Sequence, residues 1–342
     1  MAADIAAILK PPYMRLLSSS ILGVTDSNGI THFVSQIARE QFGFKQPSIE
    51  NFELSVGAVF WITDDSSGMK ILLKVLSPDI SFEDARARVD YQRYIHKAGF
   101  PCPEPLSNPL LTDGLVLIAE DFVDLGRPAS GHVAEDRALM ASCLASLVEL
   151  GTSYPSTSFP SETLITQPED LWPKPHNALF DFSRRTEFTE WIDGIATENK
   201  ISNEANHSPL VIGHLDWAAK HCRISANSIS VVYDWDSTAL VAESRVLGNA
   251  LRSFTYRDDD GLSQVPNLDQ MRDFLACYES ARSTQFKSEE IDEIVSHLLY
   301  GAAYEARCED SIDDGSESAR TGNREFLKLV SNLDLAKMLR AR

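Results

Sequence analysis

The stretch His214-Leu215-Asp216-Trp217-Ala218-Ala219-Lys220-His221, with the trio Asp234-Trp235-Asp236 downstream, constrains this chain more than any other part of it. Between the two lie Cys222 to Ser225, a polar break at Ala226-Asn227-Ser228, and the apolar run Ile229-Ser230-Val231-Val232-Tyr233, which read as strand, turn and strand. Closing that hairpin brings Asp216 and Asp234 together, and crowded carboxylates repel unless a cation or a transferable proton sits between them. Paired acids of this kind suit phosphoryl transfer, in which one Asp orients an acceptor hydroxyl and another holds a divalent ion.

Upstream, apolar residues at Phe33, Val34, Ile37 and Ala38 recur at a helical period. Three short strands follow, Phe52–Val56, Ala58–Ile62 and Met69–Val75, broken at Gly57 and Gly68, and they predict an antiparallel meander. A helix capped at Ser81, with Asp84 at capping-box spacing, carries Tyr91, Tyr94, Ile95 and Ala98 on one face and ends at Gly99. Its apolar face must cover the sheet. A further strand over Gly114–Ala119 leads through Glu120-Asp121-Phe122 to Gly126, in the manner of a hinge. Beyond it, helical stripes dominate: Leu139 to Val148, Asp269 to Arg282 and Ser288 to Arg307, with a polar loop around Asp310 to Asn323 before a last short helix. These elements predict an α+β chain whose sheet-rich N-terminal lobe spans 1–118, whose hinge is 119–126 and whose helical C-terminal lobe is 127–342.

A hydrophobic content of 43% over 342 residues supports a sizeable core. Fifty Asp and Glu against 31 Lys and Arg give a net charge of -19, which argues against nucleic acid or an anionic membrane as partner and mildly favours a cationic small molecule. The five cysteines are scattered and unpaired in pattern, and no apolar run reaches the length of a membrane span, so a cytoplasmic protein with reduced thiols is expected.

Lys74 lies in the strand Ile71-Leu72-Leu73-Lys74-Val75. An amine there either keeps its head in water at a sheet edge or, if buried, requires an anion such as a nucleotide phosphate. The ordered series of glycine-turn meander, strand lysine, covering helix, hinge, H-x-D loop, hairpin and D-x-D resembles the aminoglycoside phosphotransferase family, which shares the protein-kinase-like fold with choline kinases; the resemblance covers about Phe52 to Glu309. It implies a two-lobe kinase-like fold, ATP and Mg2+ as cofactors, and a small-molecule hydroxyl acceptor. By the same resemblance Asp216 is the catalytic Asp, His214 braces its loop, Asp234 and His221 fall at the metal with Asp236 in support, and Lys74 meets the nucleotide phosphates. Gly57 falls where backbone approaches those phosphates, and Glu120 and Phe122 fall on the adenine-packing hinge. Two positions depart from the family pattern: His221 stands where a metal-binding Asn is expected, and Arg88 where a helix Glu would pair with Lys74, which leaves that acid unassigned between such residues as Asp84 and Asp90.

Three functions fit these residues. The leading one is ATP-dependent transfer of the γ-phosphate to a small-molecule hydroxyl. The others are a nucleotide-binding pseudokinase and a metal-dependent phosphoester hydrolase built on His214, Asp216, His221, Asp234 and Asp236. Trp217 and Trp235 flank the acids and suit either core packing or an acceptor pocket; Arg307 suits a carboxylate pair within its own lobe; Asp258, Asp259 and Asp260 read as an exposed loop.

Overall fold

The structure is a computed structural model and describes residues 3–155, 159–161, 170–177, 179–201, 207–257, 263–282, 284–312 and 322–340. The loop expected at Asp258 to Asp260 and most of the polar stretch before Asn323 lie outside these residues. The chain divides into two compact units, one of residues 1–98 and 103–124, the other of residues 99–102 and 125–342.

The first unit opens with three helices, α1 (Ile5–Ile8), α2 (Pro12–Leu22) and α3 (Ser27–Phe42). The last begins earlier than its periodicity suggested, because the Asp26 carboxylate caps it by accepting from Gly29 N–H. The expected meander follows as β1 (Pro47–Leu54), β2 (Ala58–Asp64) and β3 (Lys70–Val75). Then come α4 (Phe82–Lys97), β4 (Leu110–Thr112) and β5 (Leu115–Asp121), and the five strands form one antiparallel sheet in the order β1-β2-β3-β5-β4. Ser81 caps α4 as predicted, its hydroxyl accepting from Asp84 N–H at 3.0 Å. Ala85 and Val89 on α4 pack with Leu76 and Ile118 of the sheet region, a buried cluster that covers one sheet face.

The second unit contains two small sheets and a helical body. The strands are β6 (Arg127–Pro128), β7 (Leu210–His214), β8 (Cys222–Ser225), β9 (Ser228–Val232) and β10 (Thr238–Ala242). β7 pairs with β10 in a two-stranded ribbon, and β6-β8-β9 form the other sheet. The helices are α5 (Ala134–Thr152), α6 (Glu187–Asn199), α7 (Glu243–Ser253), α8 (Leu268–Arg282), α9 (Ser288–Ser311), α10 (Asn323–Val330) and α11 (Leu335–Arg340). α7 crosses α9 at Gly248, where a Cβ would stand 2.6 Å from that of His297, so the helices approach as closely as only glycine permits. Fully buried Arg307 of α9 pairs with Asp193 of α6 at 3.2 Å, within the helical unit as the sequence suggested. No described helix is long and apolar enough to cross a membrane.

The segment entering β6 depends on Gly126, whose φ is +85° and whose Cβ position lies 2.2 Å from the Ile224 carbonyl oxygen. A side chain there incurs the left-handed backbone penalty of about 1–2 kcal/mol and pushes β6 off β8. Gly126→Ala is expected to lower unfolding free energy by at least about 2 kcal/mol in urea titrations; an unchanged midpoint would show that the strand contact is dispensable.

Candidate functional site

In the second unit, β7 delivers the chain to His214, which pairs with Thr238 of β10, and the Leu215 N–H continues the ribbon by donating to the Ser237 carbonyl at 3.0 Å. Gly213 is required here because a Cβ would meet Val246 of α7 at 2.2 Å. The chain leaves the ribbon at Asp216 and makes a 3-10 turn over Ala219–His221 before entering β8. The β8–β9 hairpin turns on Ala226 and Asn227, both with positive φ, the geometry that follows strand twist in two-residue hairpins. It returns the chain to Asp234.

Asp234 itself is left-handed, with φ +75°, a conformation that costs a non-glycine residue about 1–3 kcal/mol and persists only where its surroundings impose it. Hydrogen bonds impose it from both sides: Tyr233 N–H donates to the His221 carbonyl at 2.9 Å, and Ser237 N–H to the Asp234 carbonyl at 3.3 Å. The His214 Nε2–H donates to the Tyr233 carbonyl at 3.0 Å, tying the start of one loop to the start of the other. His214 is fully buried, edge-on to Trp217 and Trp235 at 5.6 and 5.5 Å. Both tryptophans are core residues, and Trp235 also meets Phe100 edge-on.

These constraints bring Asp216, His221 and Asp234 together, with one ligand-type atom from each lying within 4.8 Å of the others. His221 Nε2–H donates to Asp216 Oδ2 at 3.0 Å and stands 3.6 Å from Asp234 Oδ2. The Lys220 ammonium is 3.5 Å from the same Asp216 oxygen and lies over the Tyr256 ring at 4.7 Å. Burial pushes the Asp216 carboxyl up, but Lys220 and His221 outweigh it and hold the group well below the usual carboxylate range, so it is an anion at neutral pH. Burial pushes His214 down to about 4, leaving a neutral brace whose Nε2 is committed to Tyr233. Asp236 occupies the 3-10 turn over Trp235–Ser237, outside the three-residue cluster. Lys220 was not singled out from sequence; its signal was a cation four residues after Asp216 in a turn that folds back on it.

The first unit holds Gly57, Lys74, Glu120 and Phe122. Lys74 is buried on β3 rather than set at a wet edge, and its Nζ lies 3.5 Å from Oε1 of equally buried Glu120 on β5. In the β3–β5 register Lys74 faces Ile118 and Leu72 faces Glu120, so the two charged side chains are diagonal neighbours on one sheet face. Arg88 of α4 is buried, at the place where a helix acid was expected. Gly57 closes the β1–β2 turn, and a Cβ there would meet the Val75 carbonyl oxygen at 2.5 Å. The Phe122 ring lies 5.8 Å from the Lys70 ammonium.

No protein-family model matches the chain, and no curated protein matches it in sequence. Solved structures do match in fold. A microcompartment-associated aminopropanol kinase has a TM-score of 0.62 at 14% identity, covering 90% of this chain and 95% of its own. An ethanolamine kinase from Plasmodium vivax has a TM-score of 0.57 at 13% identity, covering 95% and 94%. A spectinomycin phosphotransferase solved with ADP and spectinomycin has a TM-score of 0.54 at 11% identity, covering 91% and 97%. The fold is the kinase-like one of these small-molecule kinases and phosphotransferases, with a small antiparallel-sheet lobe and a larger helical lobe.

Two outcomes follow from these environments. His214 and His297, the latter pushed down to about 3 by burial and by Arg245, are neutral in the fold. A histidine of depressed pKa binds its proton more readily unfolded, so stability declines as pH falls below about 6.5, by up to about 1.4 kcal/mol per pH unit per histidine. Urea unfolding at pH 5 is expected to show between about 1 and 2 kcal/mol less stability per buried histidine than at pH 7; a flat profile would mean that these rings are charged or solvated. For the sheet pair, Lys74→Met strands the Glu120 carboxylate and is expected to cost about 3 kcal/mol, most of it regained on adding Glu120→Leu; equal losses in single and double variants would break the pairing.

Proposed function

We propose that the chain is an ATP-dependent phosphotransferase that moves the γ-phosphate to a hydroxyl of a small molecule. The observation that carries this reading is the convergence of Asp216 and Asp234 about His221 at the loops flanking the hairpin, in a fold shared with kinases of aminopropanol and ethanolamine. ATP is the proposed donor, in keeping with the ADP in the spectinomycin phosphotransferase structure. The acidic balance of the chain favours a cationic acceptor, and an amine-bearing alcohol is the proposed class.

In this reading Asp216 orients the acceptor hydroxyl and takes its proton as the new oxygen–phosphorus bond forms and the bond to the ADP oxygen breaks. A carboxylate held so acidic is a weak base, which suits late proton transfer in a loose, metaphosphate-like transition state: positioning matters more than early deprotonation. Lys220, beside the same carboxylate, supplies positive charge where charge develops on the transferred group. His214 positions the loop. Lys74, held by Glu120, neutralises nucleotide phosphates, while Gly57 offers them backbone without a side chain and Phe122 packs on the base. Two carboxylates fit Mg2+, which binds protein through one or two acids and keeps much of its water shell. Asp234, with His221 and Asp236 in support and Asp216 beside them, would hold the divalent ion, which when bound neutralises phosphate charge.

A nucleotide-binding protein without turnover is the second reading, favoured by the imidazole of His221 between the two acids. ADP release in a screen of hydroxylated amines and sugars with ATP and Mg2+ or Mn2+ separates the two. Under the leading reading Asp216→Asn lowers ADP release at least about 100-fold, while saturating nucleotide still raises the melting temperature. Unaltered turnover in that variant overturns the assignment of Asp216.

A further inference from the structure

We propose that Asp216, His221 and Asp234 form a mixed nitrogen–oxygen site that takes a borderline first-row divalent ion, manganese or cobalt, in preference to magnesium. The proposal rests on the phosphotransferase reading only for what the ion serves; the site itself rests on the geometry of the second unit.

His221 Nε2 lies 3.0 Å from Asp216 Oδ2 and 3.6 Å from Asp234 Oδ2. Donor atoms bound at about 2.1 Å to one ion stand about 3.0 Å apart at octahedral and about 3.4 Å apart at tetrahedral angles. The nitrogen is therefore spaced from both carboxylates as a ligand would be. Its delivery is also fixed. His221 N–H donates to the Ala218 carbonyl at 3.1 Å, its own carbonyl accepts from Tyr233 N–H, and the preceding Lys220 N–H donates to the Tyr256 carbonyl at 3.0 Å. The ring belongs to a backbone turn bonded on both sides, not to a wandering side chain. His214, the other imidazole nearby, is fully buried and is not among the three residues whose ligand-type atoms gather here.

An Asn at position 221 would offer a hard oxygen; histidine can offer only nitrogen. Magnesium gains little from an imidazole, whereas affinity for nitrogen rises through the series from manganese to cobalt and beyond. Ligation requires the proton now on Nε2 to leave that atom. Two carboxylates balance a divalent charge, and Lys220 at 3.5 Å from Asp216 disfavours a second ion.

The test uses the full chain and Mn2+ alone, read by pulsed electron paramagnetic resonance and by competition with Mg2+. Bound Mn2+ is expected to show coupling to an imidazole nitrogen and to bind about tenfold or more tightly than Mg2+. His221→Asn is expected to abolish the coupling and the preference while keeping Mg2+ binding; if that variant does not fold, the wild-type spectrum alone decides. Mn2+ bound through oxygen only, equal affinities for the two ions, or no Mn2+ binding overturns the proposal. Nitrogen coupling without ADP release from any acceptor would sink the phosphotransferase reading and leave the site standing. Turnover with an oxygen-only ion does the reverse.

Discussion

Two carboxylates placed near each other at the mouth of one hairpin repel when both are ionised, and the local structure of the helical unit holds them there. The ribbon of β7 and β10 fixes one acid and the left-handed turn at Asp234 fixes the other. The buried, neutral ring of His214 links the two loops through the Tyr233 carbonyl. His221 and Lys220, both from the turn after Asp216, contribute the hydrogen bond and the positive charge that offset the repulsion. Loosening any one of these lets the carboxylates separate into water, which is their lower-energy arrangement in isolation.

Much of this was legible in the chain, and what was not has physical reasons. The hairpin strands were readable because β-branched residues alternate across a polar break, yet the turn proved to be two residues, with Ala226 in a conformation that alanine does not advertise. The ribbon strands were not read: Leu210–His214 and Thr238–Ala242 are five residues each, too short for a period to emerge, and each is stabilised by its partner and by α7 rather than by its own pattern. The tryptophans could be read two ways; burial against His214 places both in the core. Glu120 was read as part of the hinge that follows a strand, not as the partner of Lys74. Its meeting with Lys74 depends on β3 lying beside β5, a fact of sheet order that strand positions along the chain do not contain.

That sheet order changes what controls the lysine. Where a strand lysine is held by an acid on the covering helix, displacement of the helix breaks the pair, and helix position becomes a switch. Here the helix presents buried Arg88 at the place expected for that acid, and the carboxylate at Lys74 comes from the adjacent hydrogen-bonded strand. Cross-strand neighbours cannot separate without breaking the ladder between them. The register that brings the two side chains together is therefore a property of the sheet. Burial makes this arrangement strict: a lysine and a glutamate with side chains 6% and 1% exposed are each costly alone, so the sheet holds both or neither.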